Sequence, residues 1–297
     1  MSTTQGHWYT ASGKPCHTQS TKAGAASKTR PTNISDARKQ GLLPSVSGIT
    51  KMLASTGLEI HKMREVAKAC FNHPAHPGEE MDEYVQAMIE KSSEDVGQAA
   101  DLGTTIHAAI ESYFLSGLFE DSDVILSTGF TCRLRDMVDP AIDKFKSLNI
   151  EVSFTEKVLV NLKHGYAGTT DIIWRSDSEL GILDWKSKRT KAGEKVKPID
   201  THPMQIAAYI AAHYGNELAE NGFQDMRGYN VYVSTTQPGR VEVVEYPPDK
   251  LSSSWEAFLS CCQLWRFIND YDPRQEQLDK KEESAEADQH EAITSPS

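Results

Sequence analysis

Asp171, Asp184 and Lys186 are the residues of this chain whose types and spacing carry the most chemistry. They fall in GYAGTTDIIWRSDSELGILDWKSKR, residues 165–189, which reads as two adjacent strands joined by a polar turn. The first strand holds Asp171 among apolar neighbours, and the second ends in Asp184-Trp185-Lys186 after Gly181-Ile182-Leu183. Side chains alternate along a strand, so Asp184 and Lys186 share a face, and a hairpin brings Asp171 beside them. Two carboxylates and a lysine at one point of a sheet are costly to bury without a partner, and a divalent cation is the natural one. A hard cation such as Mg²⁺ keeps several waters, so two carboxylates suffice as protein anchors. Such an ion lowers the pKa of a bound water from about 15.7 toward about 7 and neutralises charge on a phosphoryl oxygen. Lys186 would orient the attacking water or hold the phosphate. The competing reading is a surface hairpin with an exposed Asp–Lys pair, which is worth little. The apolar setting of both aspartates argues against it.

The elements that must position these residues follow from the pattern of the chain. Leu43-Pro44-Ser45-Val46-Ser47 reads as a helix entry, with predicted helices over 48–55, 58–70, 79–96, 97–115 and 130–148. From Asn149 the character changes. Strands are predicted over 152–162, 166–175, 180–186, 227–234 and 240–246, with helices over 203–213 and 249–269. The expected fold is α/β: a central mixed sheet flanked by helices behind a helical N-terminal layer. The domain is expected to span 43–270, with the helical layer at 43–148 and the α/β core at 149–270. Residues 1–42 read as a flexible arm and 271–297 as a disordered acidic tail.

The net charge of −11 excludes a coating-type nucleic-acid binder with a broad basic face, but permits a local basic groove. Such a groove is offered by KSKRTKAGEKVK, residues 186–197, with six bases and one acid. The five cysteines suit neither a zinc knuckle nor a disulfide framework, which points to a reducing compartment. No apolar run reaches the length of a membrane span. The N-terminus has Lys and Arg but no acid before Asp36, a composition shared with transit peptides, yet without their amphipathic spacing. The cytoplasm of a bacterial or phage-infected cell is the expected compartment, a mitochondrial address the lesser reading. There is no phosphate-binding loop of the G-x-x-x-x-G-K-[ST] type and no G-x-S-x-G.

Four motifs stand in order along the chain: Gly103-Thr104-Thr105-Ile106-His107, Gly168-Thr169-Thr170-Asp171, Asp184-Trp185-Lys186 and Gln205-Ile206-Ala207-Ala208-Tyr209. Together they resemble the PD-(D/E)XK nuclease superfamily, in its RecB-type exonuclease branch with phage and mitochondrial genome-maintenance exonucleases. The likeness covers roughly residues 43–246. Taken alone, His107 would more often be a satisfied or exposed histidine. The resemblance implies instead that His107, Asp171, Asp184 and the backbone carbonyl of Trp185 hold Mg²⁺ or Mn²⁺. It further implies that Asp171, Asp184 and Lys186 are catalytic, and that the activity is a DNA exonuclease favouring single-stranded ends.

Gln205 and Tyr209 lie four apart on one helix face, where they could brace Lys186, bind a phosphate, or simply pack. Lys188 and Arg189 are candidates for the nucleic-acid backbone, and Glu156 for a further carboxylate near the metal. Trp174 and Trp185 could stack on bases or lie in the core. The four cysteines that hold an iron–sulfur cluster in some relatives have no counterpart here, so no cluster is expected. Phage or host replication and recombination proteins are possible partners. Two other readings stay open: a non-catalytic DNA-binding or assembly subunit keeping the fold, and a structure-specific endonuclease.

Overall fold

The computed structural model describes residues 7–21, 28–53 and 56–274. Short elements come first: β1 (Trp8–Tyr9), β2 (Thr18–Ser20), β3 (Thr29–Pro31), α1 (Ile34–Gln40), β4 (Leu43–Pro44) and α2 (Val46–Thr50). Helix α1 starts at a capping box in which Asn33 and Asp36 satisfy each other's backbone N–H, and it stops at Gly41 with φ of 60°. Strand β1 pairs antiparallel with β4. Trp8 is buried, its indole N–H donating to the Thr32 carbonyl at 3.2 Å and its ring meeting Trp265 edge-on. The described part of residues 1–42, expected as a flexible arm, is therefore folded onto the domain. Its low apolar content is misleading, because the few large side chains present, Trp8, Tyr9 and Leu42, are buried.

Two helices follow, α3 (Thr56–Asn72) and α4 (Met81–Ser116). The pattern predicts two helices over 79–115, but α4 is continuous for 36 residues, about 54 Å at 1.5 Å per residue. An interior glycine costs only about 1 kcal/mol and does not end a helix, so Gly97 and Gly103 leave it unbroken. Next come a hairpin of β5 (Asp123–Ile125) and β6 (Thr131–Arg133), then α5 (Arg135–Lys146). The helix expected from residue 130 thus begins later. The Asp121 carboxylate explains the change: it accepts from the Arg133 guanidinium at 2.8 Å and the Arg135 backbone N–H at 3.1 Å, tying the hairpin closed.

The core comprises β7 (Glu151–Asn161), β8 (Tyr166–Arg175), β9 (Leu180–Lys188), α6 (Thr201–Tyr214), α7 (Asn216–Glu220), β10 (Met226–Ser234), β11 (Val241–Tyr246) and α8 (Pro248–Asn269). The sheet order is β11-β10-β9-β8-β7, antiparallel throughout except for the β9–β10 pair. A parallel pair needs a crossover, which α6 and α7 supply. This is the mixed α/β sheet expected. Ile173 and Ile182 face α6 and α8 in one apolar layer, while Ile172, Trp174, Leu183 and Trp185 face α4 and α5 in the other. Trp174 and Trp185 are thus core residues, and their rings are not available for base stacking.

The β8–β9 ladder runs from Arg175↔Leu180 to Ile172↔Leu183 and stops there. Beyond it, β8 stays with β7 as far as Tyr166 and β9 stays with β10 as far as Lys188. The sheet forks, and the next residues on the two prongs are Asp171 and Asp184. Tyr271, the first residue of the stretch expected as an acidic tail, is buried and donates its hydroxyl to the Leu42 carbonyl at 2.9 Å. Residues 275–297 lie outside the described residues. Among those described, no helix is long and apolar enough to cross a membrane.

Candidate active site

At the fork the two prongs are joined by side chains rather than by the ladder. Asp171 Oδ2 accepts from the Trp185 backbone N–H at 2.6 Å, bridging the gap where β8 and β9 part. Lys186 Nζ lies 2.5 Å from Asp184 Oδ2, as the alternation along β9 requires. Asp184 is 3% exposed. On β10, Asn230 is wholly buried and donates from Nδ2 to Asp184 Oδ2 at 3.1 Å and to the Asp184 carbonyl at 3.2 Å. Tyr246 in turn donates to Asn230 Oδ1 at 2.8 Å. The spacing of motifs did not reveal Asn230, though an amide in the apolar run YNVYV was a visible signal.

Two glycines let helices close on this point. A Cβ on Gly103 would stand 2.5 Å from Ser187 Oγ, so its absence seats α4 against β9. His107 follows one turn later, its Nδ1 3.9 Å from Asp171 Oδ2. A Cβ on Gly168 would stand 2.8 Å from Tyr209 Cε1, so α6 packs onto β8 only because that Cβ is missing. From α6, Gln205 Oε1 accepts from Lys186 Nζ at 3.0 Å while its Nε2 donates to the Tyr209 hydroxyl at 3.1 Å. Tyr209 is 4% exposed. Of the readings open for this pair, the geometry is that of a brace on Lys186.

The electrostatics follow from burial and crowding. Burial, then the Asp184 carboxylate, pushes the Asp171 pKa well above the ordinary carboxylate range. Burial also lowers the His107 pKa, partly opposed by Asp184, which leaves the imidazole neutral with a free lone pair near pH 7. Glu156 stands midway along β7, between the pairs Thr155↔Ile172 and Lys157↔Thr170 and so across from Asp171, in a left-handed conformation with φ of 46°. Desolvation, Glu111 and Asp184 push its carboxyl up to about 7. Glu111, four residues after His107 on the same face of α4, is a further site residue that the motifs did not single out.

A divalent cation fits this donor set. Among the described residues neither Asp171 nor Asp184 has a hydrogen-bond partner for its Oδ1, so each keeps an uncommitted hard ligand. A second positive charge would also relieve the crowding that raises Asp171. No three His, Cys, Asp or Glu side chains among the described residues are gathered tightly enough to hold a metal by themselves. The shell would be completed by the Trp185 carbonyl and water.

Beyond β9 the basic stretch forms a loop clamped by the β10–β11 hairpin. Arg240 donates to the Lys191 carbonyl at 2.7 Å, and Glu242 accepts from the Val196 N–H at 2.9 Å. The loop lines a cavity of about 380 Å³ that includes Lys188, Arg189, Lys191, Lys195 and Lys197. Lys188 donates to the Lys197 carbonyl, whereas Arg189 is exposed.

The family model of the PD-(D/E)XK nuclease superfamily matches residues 81–278. A solved structure titled "Crystal structure of SSO0001" aligns at 18% identity over 67% of this chain and 84% of that one, with a TM-score of 0.26, too low to carry an argument. No curated protein matches.

Proposed function

Because the chain belongs to the PD-(D/E)XK nuclease superfamily, we propose that it is a divalent-metal-dependent DNA exonuclease of the RecB-type branch. On this reading it hydrolyses phosphodiester bonds from single-stranded ends, in phage or bacterial DNA replication, recombination or repair. The observation that carries the reading is the fork itself, where Asp171 reaches the Trp185 N–H and Lys186 is held between Asp184 and Gln205.

Asp171, Asp184, His107 and the Trp185 carbonyl would hold Mg²⁺ or Mn²⁺, an imidazole ligand suiting Mn²⁺ as well. When bound, the metal supplies an activated water and neutralises charge on the scissile phosphate. Lys186 positions the attacking water against that phosphate, and Gln205, itself held by Tyr209, keeps the ammonium in line. Glu156 lies near enough to Glu111 and to the carboxylate pair for their charges to couple, and a bound cation would favour the ionised form of Glu156. Lys188 and Arg189 lie where β9 leaves the fork and would meet the nucleic-acid backbone.

The test is digestion of 5′- and 3′-labelled single- and double-stranded DNA with Mn²⁺, beside a closed circular substrate. Linear single strands should be degraded and circles spared, with activity lost in Asp184→Ala and in Lys186→Ala. Undiminished cleavage by both variants would sink the assignment, and cleavage of circles would turn it into an endonuclease.

A further inference from the structure

In an acidic protein, the N-terminal stretch of the sequence has the opposite charge. Residues 1–51 hold seven Lys and Arg against a single acid, Asp36, while the rest of the chain holds 24 against 41. This segment lies outside the residues matched by the family model. Its described part nevertheless packs against the strand that carries Asp171. Tyr9 Oη lies 3.2 Å from Thr169 Oγ1, two residues before Asp171, and Ser45 bridges Ala167. Tyr9, Leu43 and Ala167 share a small apolar cluster, with Val158 and Val160 of β7 against it. A Cβ at Gly13 would stand 3.3 Å from Val160, so the turn bearing Lys14 lies on β7.

Of the six described cations of this segment, Lys28 precedes β3 and Lys39 lies on α1, and the other four divide into two sets. Arg30 is spent on Asp36 at 2.6 Å, and Arg38 donates to the Asn269 carbonyl. Lys14 and Lys51 are exposed and have no carboxylate partner among the described residues. Lys51 is close enough to help push the His7 imidazole toward its neutral form, after burial and His17. The His7 and His17 rings are stacked at 4.6 Å, and Tyr9 meets His17 edge-on at 5.1 Å. Lys51, His7 and His17 thus share one polar surface, and the buried Tyr9 beneath it reaches Thr169 of β8 through its hydroxyl.

Sheet topology decides where this surface lies. Strands β8 and β9 are antiparallel, so residues 166–169 of β8 and 186–188 of β9 belong to the same end of the sheet. The loop of residues 188–197 leaves that end on the β10 side of the fork, and the N-terminal segment covers it on the β7–β8 side. We propose that the N-terminal segment is a nucleic-acid backbone grip, in which Lys14 and Lys51 hold phosphates of a single strand on one flank of the fork. The lysine-rich loop holds the strand on the other flank, so that it crosses the carboxylate pair between two basic walls. Placing a strand this way localises attraction that the net charge would otherwise oppose. The inference rests on the nucleic-acid substrate proposed above.

The experiment is binding of a fluorescent single-stranded oligonucleotide to the full chain in chelator, where no cleavage occurs, over a range of salt. Wild type is compared with Lys14→Glu/Lys51→Glu and with Lys250→Glu. Lys250 is exposed at the start of α8, four residues past Tyr246, whose partner Gly228 pairs with Ile182 at the opposite end of the sheet. Each phosphate contact contributes roughly 0.7 to the slope of log affinity against log salt for a single strand, so the double reversal should flatten it by about 1.4. Lys250→Glu should leave the slope as it is. A wild-type slope in the double variant, or an equal loss in Lys250→Glu, overturns the grip. Cleavage by wild type with an unchanged slope in the double variant faults this inference alone. A flattened slope in a protein that never cleaves faults the nuclease reading alone.

Discussion

Replacing Gly168 by alanine tests whether the brace on Lys186 matters to the chemistry. The new Cβ would stand 2.8 Å from Cε1, 3.0 Å from Oη and 3.3 Å from Cζ of Tyr209. Carbon–carbon contacts are comfortable at about 3.5–4.0 Å, so ring or strand must yield by roughly 0.7–1.2 Å. Tyr209 is 4% exposed and has no room to swing into solvent. Overpacking of this kind costs about 1–3 kcal/mol, which a shift in the urea midpoint would register. The displacement also moves Oη away from Gln205 Nε2, and Gln205 is what holds Lys186 Nζ at 3.0 Å. A misplacement near 1 Å in a reacting constellation can cost about 10²-fold in rate, or about 2.7 kcal/mol. Single-turnover digestion of labelled single-stranded DNA with Mn²⁺ should show a fall of that order. Tyr209→Phe, which removes Oη, should lose much of the same rate, and Gly168→Ala should add little on top of it. A wild-type rate in Gly168→Ala, or losses that add in full, would refute the brace.

Asn230→Leu leaves Asp184 Oδ2 and the Tyr246 hydroxyl without their buried partner, and should destabilise the fold by about 1–3 kcal/mol in urea titration. Glu156 has a folded pKa of about 7 against an ordinary 4.5, so the metal-free folded state binds the extra proton between these values. Stability should therefore fall as pH rises from about 4.5 to about 7, and Glu156→Gln should flatten that slope in thermal melts. Mn²⁺ at a hundred times its dissociation constant should stabilise the wild type by about 2.7 kcal/mol. Asp184→Asn should lose most of that gain, and an equal gain in both proteins would argue against the proposed ligand.

Much of the candidate site was legible from the chain alone. Asp171, Asp184 and Lys186 announce themselves because a carboxylate in an apolar strand is costly, and because period two puts residues 184 and 186 on one face. The strands 166–175 and 180–186 and the helix at 203–213 follow from the same local patterns and lie within a few residues of the observed elements. The hidden residues depend on contacts between distant segments. Asn230 is one amide in a strand until β10 pairs beside β9. Glu111 is one more helical acid until α4 is laid against the fork.

The N-terminal segment shows the division most sharply. Its composition, poor in apolar residues and rich in Lys and Ser, matches that of an unstructured arm, and local sequence contains nothing to contradict it. Only tertiary packing of Trp8 on Trp265, and of Tyr9 on Thr169, turns it into part of the domain. What the sequence determined by itself is the set of groups able to do metal-assisted phosphodiester chemistry, since residue type and strand period are local properties. What the tertiary structure alone decided is the fork that parts β8 from β9 and the partners that meet there. Pairing register and helix packing are set by contacts between residues more than 200 apart, such as Tyr271 with Leu42, 229 residues away, and no local pattern encodes them.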